Sequence, residues 1–149
     1  MSIETFWNEF ITKYPEYKDA KYTAWAFGVD QDFLADLVRR GIKTSTTSAY
    51  SLYELDNEPL PQTEDLSIVL NSKEQPICVI QTTEIYATKF KNVTETHAYN
   101  EGEGDRSLAY WRDAHLAFFN EEFKEHNLTF SEEEIVLCEE FECLYVKGE

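Results

Sequence analysis

The segment over residues 76–88 places the strongest constraint on the fold, because it predicts one long strand with apolar side chains on both faces. Side chains alternate along a strand, so Ile77 and Val79 point to one side while Cys78 and Ile80 point to the other. A strand of this kind lies in the middle of a barrel or between two layers. The rest of the chain must therefore cover both of its sides.

The spacing of apolar residues around this strand predicts the other elements. Helical spacing begins after Ser2 and stops at Pro15, and a second helix begins after Asp30 and ends before Gly41. Consecutive strands joined by short turns favour a mostly antiparallel, barrel-like sheet with the helices packed outside. The aromatic segment 17–28 is interpreted as a connection. The predicted helices cover residues 3–14, 31–40, 93–99 and 106–124, and the predicted strands cover residues 44–53, 66–70, 76–88 and 135–146.

Length and composition fit a single domain over residues 1–149. A chain that is 42% hydrophobic can bury a core, which excludes intrinsic disorder. It has neither an apolar run near the roughly eighteen residues of a membrane span nor a signal-peptide pattern, so we expect a cytoplasmic protein without a membrane partner. Cys78, Cys138 and Cys143 lack metal-site spacing and alternate with apolar residues, which predicts buried thiols; no motif indicates a metal or a cofactor.

The acidic balance of the chain restricts its partners. It has 29 acidic and 13 basic residues and a formal net charge of −16. Nonspecific nucleic-acid binding depends on neutralising phosphates with lysine and arginine, so this surface as a whole repels a long DNA duplex. Any nucleic-acid or nucleotide ligand must therefore use a local pocket, and a small ligand is easier to reconcile with the charge.

Residues 97–108 carry more functional groups than a plain connection requires, because two glycines, three carboxylates, an arginine and a histidine lie together. Gly102 and Gly104 permit a positive φ or a close approach of the backbone to a ligand. Asp105 occupies the expected N-cap position of the helix that follows. The segment is either a solvated turn before an amphipathic helix or a ligand-binding loop.

A second segment, residues 41–46, favours the ligand-binding interpretation. Gly41 lies just past the second helix, and Lys43 follows it at once. In a regular strand Lys43 and Thr46 face opposite ways, so they converge only if the chain turns or bulges near Thr44. A shared site for these two side chains therefore makes a specific demand on the structure.

Residues 41–46, which read GIKTST, resemble the G-x-K-x-x-T signature of the ASCH domain, a PUA-like β-barrel. Residues 101–119, which read EGEGDRSLAYWRDAHLAFF, resemble the second signature of one bacterial branch of that family. The similarity also includes residues 25–28, 59–61 and 141–145, so it covers nearly the whole chain. It implies an α+β fold built as a PUA-like, mostly antiparallel β-barrel with helices packed outside.

The resemblance also implies a pocket on the barrel that binds RNA, a nucleotide or a modified nucleoside. Some relatives are similar to acetylcytidine amidohydrolases, in which a lysine, a threonine and a glutamate of the two motifs carry out hydrolysis; others are described as ribonucleases or only as RNA-binding modules. Carried over by position, these residues fall on Lys43, Thr46 and Glu101, the last of them four residues after His97. The chain departs from the amidohydrolases in its added N-terminal helix and its glycine-rich loop, so the fold transfers safely and the activity does not.

Two classes of function remain open. The first is a binding domain of the ASCH type, whose partner is a small nucleotide or nucleoside, or a short RNA segment. The alternative is a hydrolase acting on an acetylcytidine-like nucleoside, with Thr46 as nucleophile, Lys43 as base and Glu101 as general acid. That chemistry requires Thr46 within hydrogen-bond reach of Lys43, a lowered lysine pKa and a raised glutamate pKa. A ribonuclease with His97 or His115 as acid or base fits the acidic surface less well.

The expected ligand pocket combines the two motifs with aromatic and basic residues. Flat rings can stack on a nucleobase, and arginine or histidine can bind a phosphate or a ribose. A structural interpretation also stays open, with Lys43 as a cation near a helix C-terminus and Thr46 as an ordinary strand residue. The expected ligand-binding residues are Trp25, Phe27, Thr44, Glu103, Arg106, Trp111, Arg112 and His115.

Overall fold

A mixed sheet surrounded by helices forms over residues 1–148, which the computed structural model describes. Short 3-10 turns at Pro15–Tyr17 and Phe90–Asn92 join some of its elements. In chain order the helices and strands are α1 (Ile3–Lys13), β1 (Tyr22–Trp25), α2 (Gln31–Arg39), β2 (Ser45–Ala49), α3 (Tyr50–Leu55), β3 (Leu66–Leu70), β4 (Pro76–Lys89), α4 (Glu95–Glu101), α5 (Leu108–Glu125) and β5 (Ile135–Val146).

The five strands form one open sheet in the order β1-β3-β4-β5-β2. All neighbouring pairs are antiparallel except β1 with β3, which confirms the α+β class and the mostly antiparallel sheet. The expected barrel is wrong, because β1 and β2 lie at opposite edges and do not pair. These edge strands have only four and five residues, and β2 runs directly into α3, so neither extends far enough to close the sheet.

The first half of the long strand β4, residues 76–82, is covered on both sides as its sequence predicts, whereas residues 83–89 are exposed or only partly buried. On one face Cys78 and Ile80 pack against α2, and on the other face Val79 packs against α1, whose Phe6 and Phe10 are fully buried. A third cluster joins α5 to β2 and β5. Full burial of each such side chain contributes about 1.5–3 kcal/mol, so these contacts fix the positions of the helices on the sheet.

Two of the predicted elements differ in the structure. The predicted strand over residues 44–53 ends at Ala49, and Tyr50–Leu55 forms α3, which turns Leu52 into the core at 5% exposure. The connection over residues 17–28 contains β1, whose Tyr22 stacks on Trp7 at 4.2 Å. Both elements are short, and their tertiary contacts outweigh the local pattern.

The start of α5 also differs from the expectation. Ser107 is the N-cap, and its hydroxyl accepts a hydrogen bond from the Tyr110 amide at 3.0 Å. Asp105 instead accepts from the Ser107 amide at 2.9 Å and so orders the turn before the helix. The glycine-rich loop is therefore two residues longer than the sequence indicates, because the helix begins at Leu108.

The three cysteines form no disulfide. Cys78 and Cys138 are buried, which confirms the expectation for these two thiols, whereas Cys143 is only partly buried. Between residues 1 and 148, no helix combines the length and the apolar character that crossing a membrane requires.

Candidate functional site

A cleft with a cavity volume of about 100 Å³ opens where the two sequence motifs meet. It is bounded by α5, the loop before α2, the start of β2 and the end of α4. Phenylalanine rings form part of its wall, and charged side chains form part of its floor. The cleft is lined by Phe27, Gly28, Val29, Leu34, Lys43, Thr46, Thr47, Glu101, Glu103, Ala114, His115 and Phe118.

Two glycines bring the motifs together. Gly41 adopts a φ of 76° at the end of α2, and the amides of Ile42 and Lys43 then both donate to the Leu37 carbonyl. Gly102 also has a φ of 76° and ends α4, where an added Cβ would lie 2.7 Å from the carbonyl oxygen of Ile42. Only glycine permits this approach, so the ends of two helices meet at a backbone contact.

Lys43 lies in the turn before β2 and is 2% exposed. Its Nζ donates to Oε1 of Glu101 at 2.9 Å and to the Ser45 carbonyl at 2.9 Å, and it lies 3.5 Å from Oε2 of Glu103. The same ammonium lies 5.3 Å from the centre of the Phe27 ring. These are the partners that a buried cation requires, because an unpaired one is costly to desolvate.

Glu101 is the centre of the site and is 1% exposed. Its Oε2 accepts hydrogen bonds from the Thr47 hydroxyl at 2.5 Å and from Nε1 of Trp111 at 2.6 Å, and His97 Nε2 lies 3.1 Å away. Burial raises the pKa of Glu101, but the nearby positive charge, above all Lys43, holds that pKa well below its usual range. Glu101 is therefore a carboxylate, whereas the general-acid hypothesis needs the opposite shift.

His115 connects this network to the cleft. Its ring stacks on Trp111 at 4.2 Å, its Nδ1–H donates to the Trp111 carbonyl at 2.9 Å, and its Nε2 lies 3.4 Å from Oε2 of Glu101. Burial lowers the pKa of His115, but the Glu101 and Glu103 carboxylates outweigh it and the net pKa is raised. The imidazole that faces the cleft therefore binds a proton more tightly than a free histidine does.

Lys43 and Thr46 could share a site only if the chain departs from a regular strand near Thr44. In the structure β2 begins only at Ser45, and both residues line the cleft. They do not bond to each other, however, and within residues 1–148 the Thr46 hydroxyl makes no hydrogen bond. The hydroxyl that reaches Glu101 belongs to Thr47, one residue further on. Lys43, Thr46 and Glu101 thus share the cleft, but only the lysine and the glutamate are in contact.

Within the network, Thr47 was not among the predicted site residues, and His97 was named only as an acid or base in the ribonuclease alternative. His97 and Glu101 are four residues apart on α4, a spacing that places both on one helix face and is readable in the sequence. Nε2 of His97 lies 2.7 Å from the Thr47 hydroxyl oxygen. No sequence signal distinguishes Thr47 from Thr46, because that choice depends on how β2 pairs with β5.

The predicted ligand-binding residues fall into two groups. Phe27, Glu103 and His115 line the cleft, and Trp111 lies directly behind it with its indole bonded to Glu101. The remaining four lie elsewhere, each with a structural contact: Trp25 packs edge-on to Phe27 at 5.1 Å, the exposed Thr44 donates its amide to the Asn100 carbonyl, Nε of Arg106 donates to the Tyr99 carbonyl, and Arg112 donates to the Lys91 carbonyl.

Glu101, Glu103 and His115 place three potential metal-ligating atoms within 4.8 Å of one another. The Lys43 ammonium already contacts both carboxylates, so a metal ion would have to share this space with a second cation. Oε2 of Glu101 is also engaged by donors from Thr47 and Trp111. The donor set is therefore better suited to the lysine than to a resident metal.

Residues 23–145 match the family model of the ASCH domain. An ASCH domain from Lactobacillus crispatus JV V101 has a similar structure, with a TM-score of 0.89, 32% identity, and coverage of 95% of this chain and 93% of that one. Protein EF3133 from Enterococcus faecalis V583, assigned to DUF984, is 30% identical with a TM-score of 0.86, covering 99% and 95%. The hypothetical protein PH0355, at 17% identity and a TM-score of 0.57 over 83% of this chain and 100% of that one, shares the fold alone. No curated protein matches the sequence.

Proposed function

Because the chain belongs to the ASCH domain family, which is generally proposed to bind RNA, we propose that it binds a single nucleobase or nucleoside in the cleft beside Lys43. The base belongs either to a free nucleoside or to an unpaired position of a short RNA segment. The observation that carries this proposal is the pairing of the charged groups in the cleft with one another. The chemistry of the cleft walls gives it further support.

The ionisable groups in the cleft are paired with one another. Lys43 contacts the carboxylates of Glu101 and Glu103, His115 lies beside Glu101, and no arginine among the described residues lines the cleft. An anionic phosphate would find no free cation there, whereas an uncharged heterocycle can accept from and donate to these groups. The net charge of −16 acts in the same direction, because it opposes a long phosphate backbone.

The walls suit a flat ring. Phe27 and Phe118 both line the cleft, and a nucleobase can stack on either phenyl face. The phenyl faces of the cleft wall therefore suit the flat ring of a nucleobase.

Calorimetric titration with the four ribonucleosides and their 5′-monophosphates tests the proposal. We expect at least one nucleoside to bind, with no gain from the phosphate, and we expect Phe118→Ala and Glu103→Gln to weaken that binding about tenfold. Phe33→Ala on the exposed face of α2 and Asp113→Asn on α5 are matched controls that should bind as the parent does. Absence of binding by every nucleoside, or equal losses in the controls, would refute the proposal.

Hydrolysis of an acetylcytidine-like nucleoside remains the second candidate. The observation that favours it is the Thr46 hydroxyl, which belongs to a cleft-lining residue and makes no hydrogen bond within residues 1–148. As nucleophile it would need a base, and the Lys43 ammonium is instead paired with Glu101. Chromatography of acetylcytidine incubated with the parent, Lys43→Ala and Thr46→Val proteins decides this: turnover that both substitutions abolish supports hydrolysis, and no turnover at high protein concentration excludes this substrate.

A further inference from the structure

β2 forms a free edge of the sheet, and this edge borders the cleft. Among the described strands β2 pairs only with β5, and its residues Thr46 and Thr47 line the cleft. Backbone groups on the outer side of an edge strand have no partner within the sheet. The register between β2 and β5 decides which residues present such groups.

In an antiparallel pair, opposed residues alternate between those that exchange two backbone hydrogen bonds and those that exchange none. The Phe141 amide donates to the Thr44 carbonyl at 3.0 Å, and these two residues are opposed when the unbroken β2–β5 register is extended by one step. Thr46 and Ser48 therefore direct their backbone groups to β5. The intervening Thr47 directs its N–H and C=O away from the sheet.

The side-chain hydroxyl of Thr47 is hydrogen-bonded, whereas its backbone N–H and C=O have no hydrogen-bond partner in the described chain. Its hydroxyl bonds to Glu101 at 2.5 Å and lies 2.7 Å from His97 Nε2, which fixes the residue in place. Outside the sheet, its N–H and C=O make no hydrogen bond to any residue of the described chain. We propose that these two backbone groups bind the polar edge of the cleft ligand, so that the ligand continues the sheet by one hydrogen-bonded unit.

This inference rests on the proposed function and narrows it to a class of ligand. A partner for one backbone N–H and one backbone C=O must carry an acceptor and an N–H donor next to each other in one plane. The base-pairing edges of nucleobases carry such groups, and proteins bind them when the base is unpaired. The ligand therefore presents its pairing edge to Thr47, and a base that is already paired in a duplex is excluded.

Amide NMR spectroscopy of the ¹⁵N-labelled full chain tests this contact, with the four ribonucleosides as probes. Before ligand is added, the Thr47 amide should exchange with solvent faster than the amides of Thr46 and Ser48, which bond to β5. Addition of the nucleoside that binds should move the Thr47 proton downfield and slow its exchange, while Ser48 changes little. The analogue methylated on the ring nitrogen of the pairing edge should bind about tenfold more weakly.

The possible failures separate the two proposals. If no ribonucleoside shifts any resonance, the proposed function is wrong and the Thr47 contact is wrong with it. If a nucleoside shifts residues around Lys43 but leaves Thr47 unchanged, and its methylated analogue binds equally well, the cleft function stands and the Thr47 contact alone is overturned. A Thr47 amide that is already protected in the free protein also overturns it.

Discussion

The Nζ atom of Lys43 lies 2.9 Å from Oε1 of Glu101, and each of these side chains is 1% exposed to solvent. The pair joins the motif that follows α2 to the motif that ends α4. A buried pair of charges is costly to form, but leaving one of them without its partner is costlier still. The same contact therefore supports the fold and sets the charge of the cleft.

Breaking this pair should destabilise the protein strongly. We expect Lys43→Ala and Glu101→Gln each to lower the free energy of unfolding by about 3–5 kcal/mol, because each leaves a buried polar group without its main partner. Urea denaturation followed by circular dichroism measures this. Arg39→Ala, which removes the exposed contact with Asp36, is the control and should change little. Similar small changes in all three proteins would show that the Lys43–Glu101 pair is not buried in solution.

The adjacent threonines should respond differently to the same substitution. Thr47→Val removes a hydroxyl that donates to Glu101, and we expect it to lower the free energy of unfolding by about 1–3 kcal/mol. Thr46→Val should have little effect, because in the described chain that hydroxyl has no partner to lose. Chemical denaturation of the two variants gives the comparison. A larger loss at Thr46 would mean that the register of β2 differs from the one described.

Two glycines with equal backbone angles offer a test of the contact between the motifs. Gly41 and Gly102 both have a φ of 76°, but an added Cβ meets nothing within 4 Å at Gly41 and lies 2.7 Å from the Ile42 carbonyl oxygen at Gly102. Gly41→Ala should cost about 1–2 kcal/mol from its left-handed conformation alone. Gly102→Ala should cost clearly more in a thermal unfolding experiment. Equal costs would mean that the helix ends can separate without penalty.

The stability of the protein should depend on pH through His115. Its pKa in the folded state is raised above the ordinary value of 6.5, so its contribution is fully present below that value and is lost as the pH rises through the folded-state pKa. We expect the stability difference between the parent and His115→Gln to be constant below pH 6.5 and to shrink as the pH rises above that value and through the folded-state pKa. Urea denaturation across this range provides the measurement. Parallel pH profiles of the two proteins would exclude the His115–Glu101 interaction as the cause.

Elements with strong local signals could be predicted closely. Ser2 and Pro15 bracket α1, and the apolar alternation over residues 135–146 gives the bounds of β5 without error. The pairing of strands could not be predicted in this way, because β1 is only four residues long and pairs in parallel with β3, far along the chain. Closure of the sheet depends on such pairings, and this is why the barrel was expected and an open sheet is found.

The candidate site shows the same division. The resemblance to the ASCH signatures implies that Lys43, Thr46 and Glu101 share a site, and all three residues line the cleft. Side-chain orientation depends on long-range register, and so the partner of Glu101 is Thr47 rather than Thr46. The sequence predicts that Arg106 binds a ligand. In the structure its Nε donates to the Tyr99 carbonyl and its Nη2 donates to the Ile42 carbonyl, so its hydrogen bonds go to the protein backbone.

The position of Arg106 has a mechanical consequence. Its guanidinium lies 3.6 Å from the centre of the Tyr99 ring, on the solvent-exposed face of α4. Glu101 lies on the buried face of the same seven-residue helix. Arg106 links the last turn of that helix to the backbone just before Lys43, because it donates hydrogen bonds to the carbonyls of both Tyr99 and Ile42. The last turn of α4, which carries Glu101 to the cleft, therefore depends on contacts of a side chain that does not line the cleft.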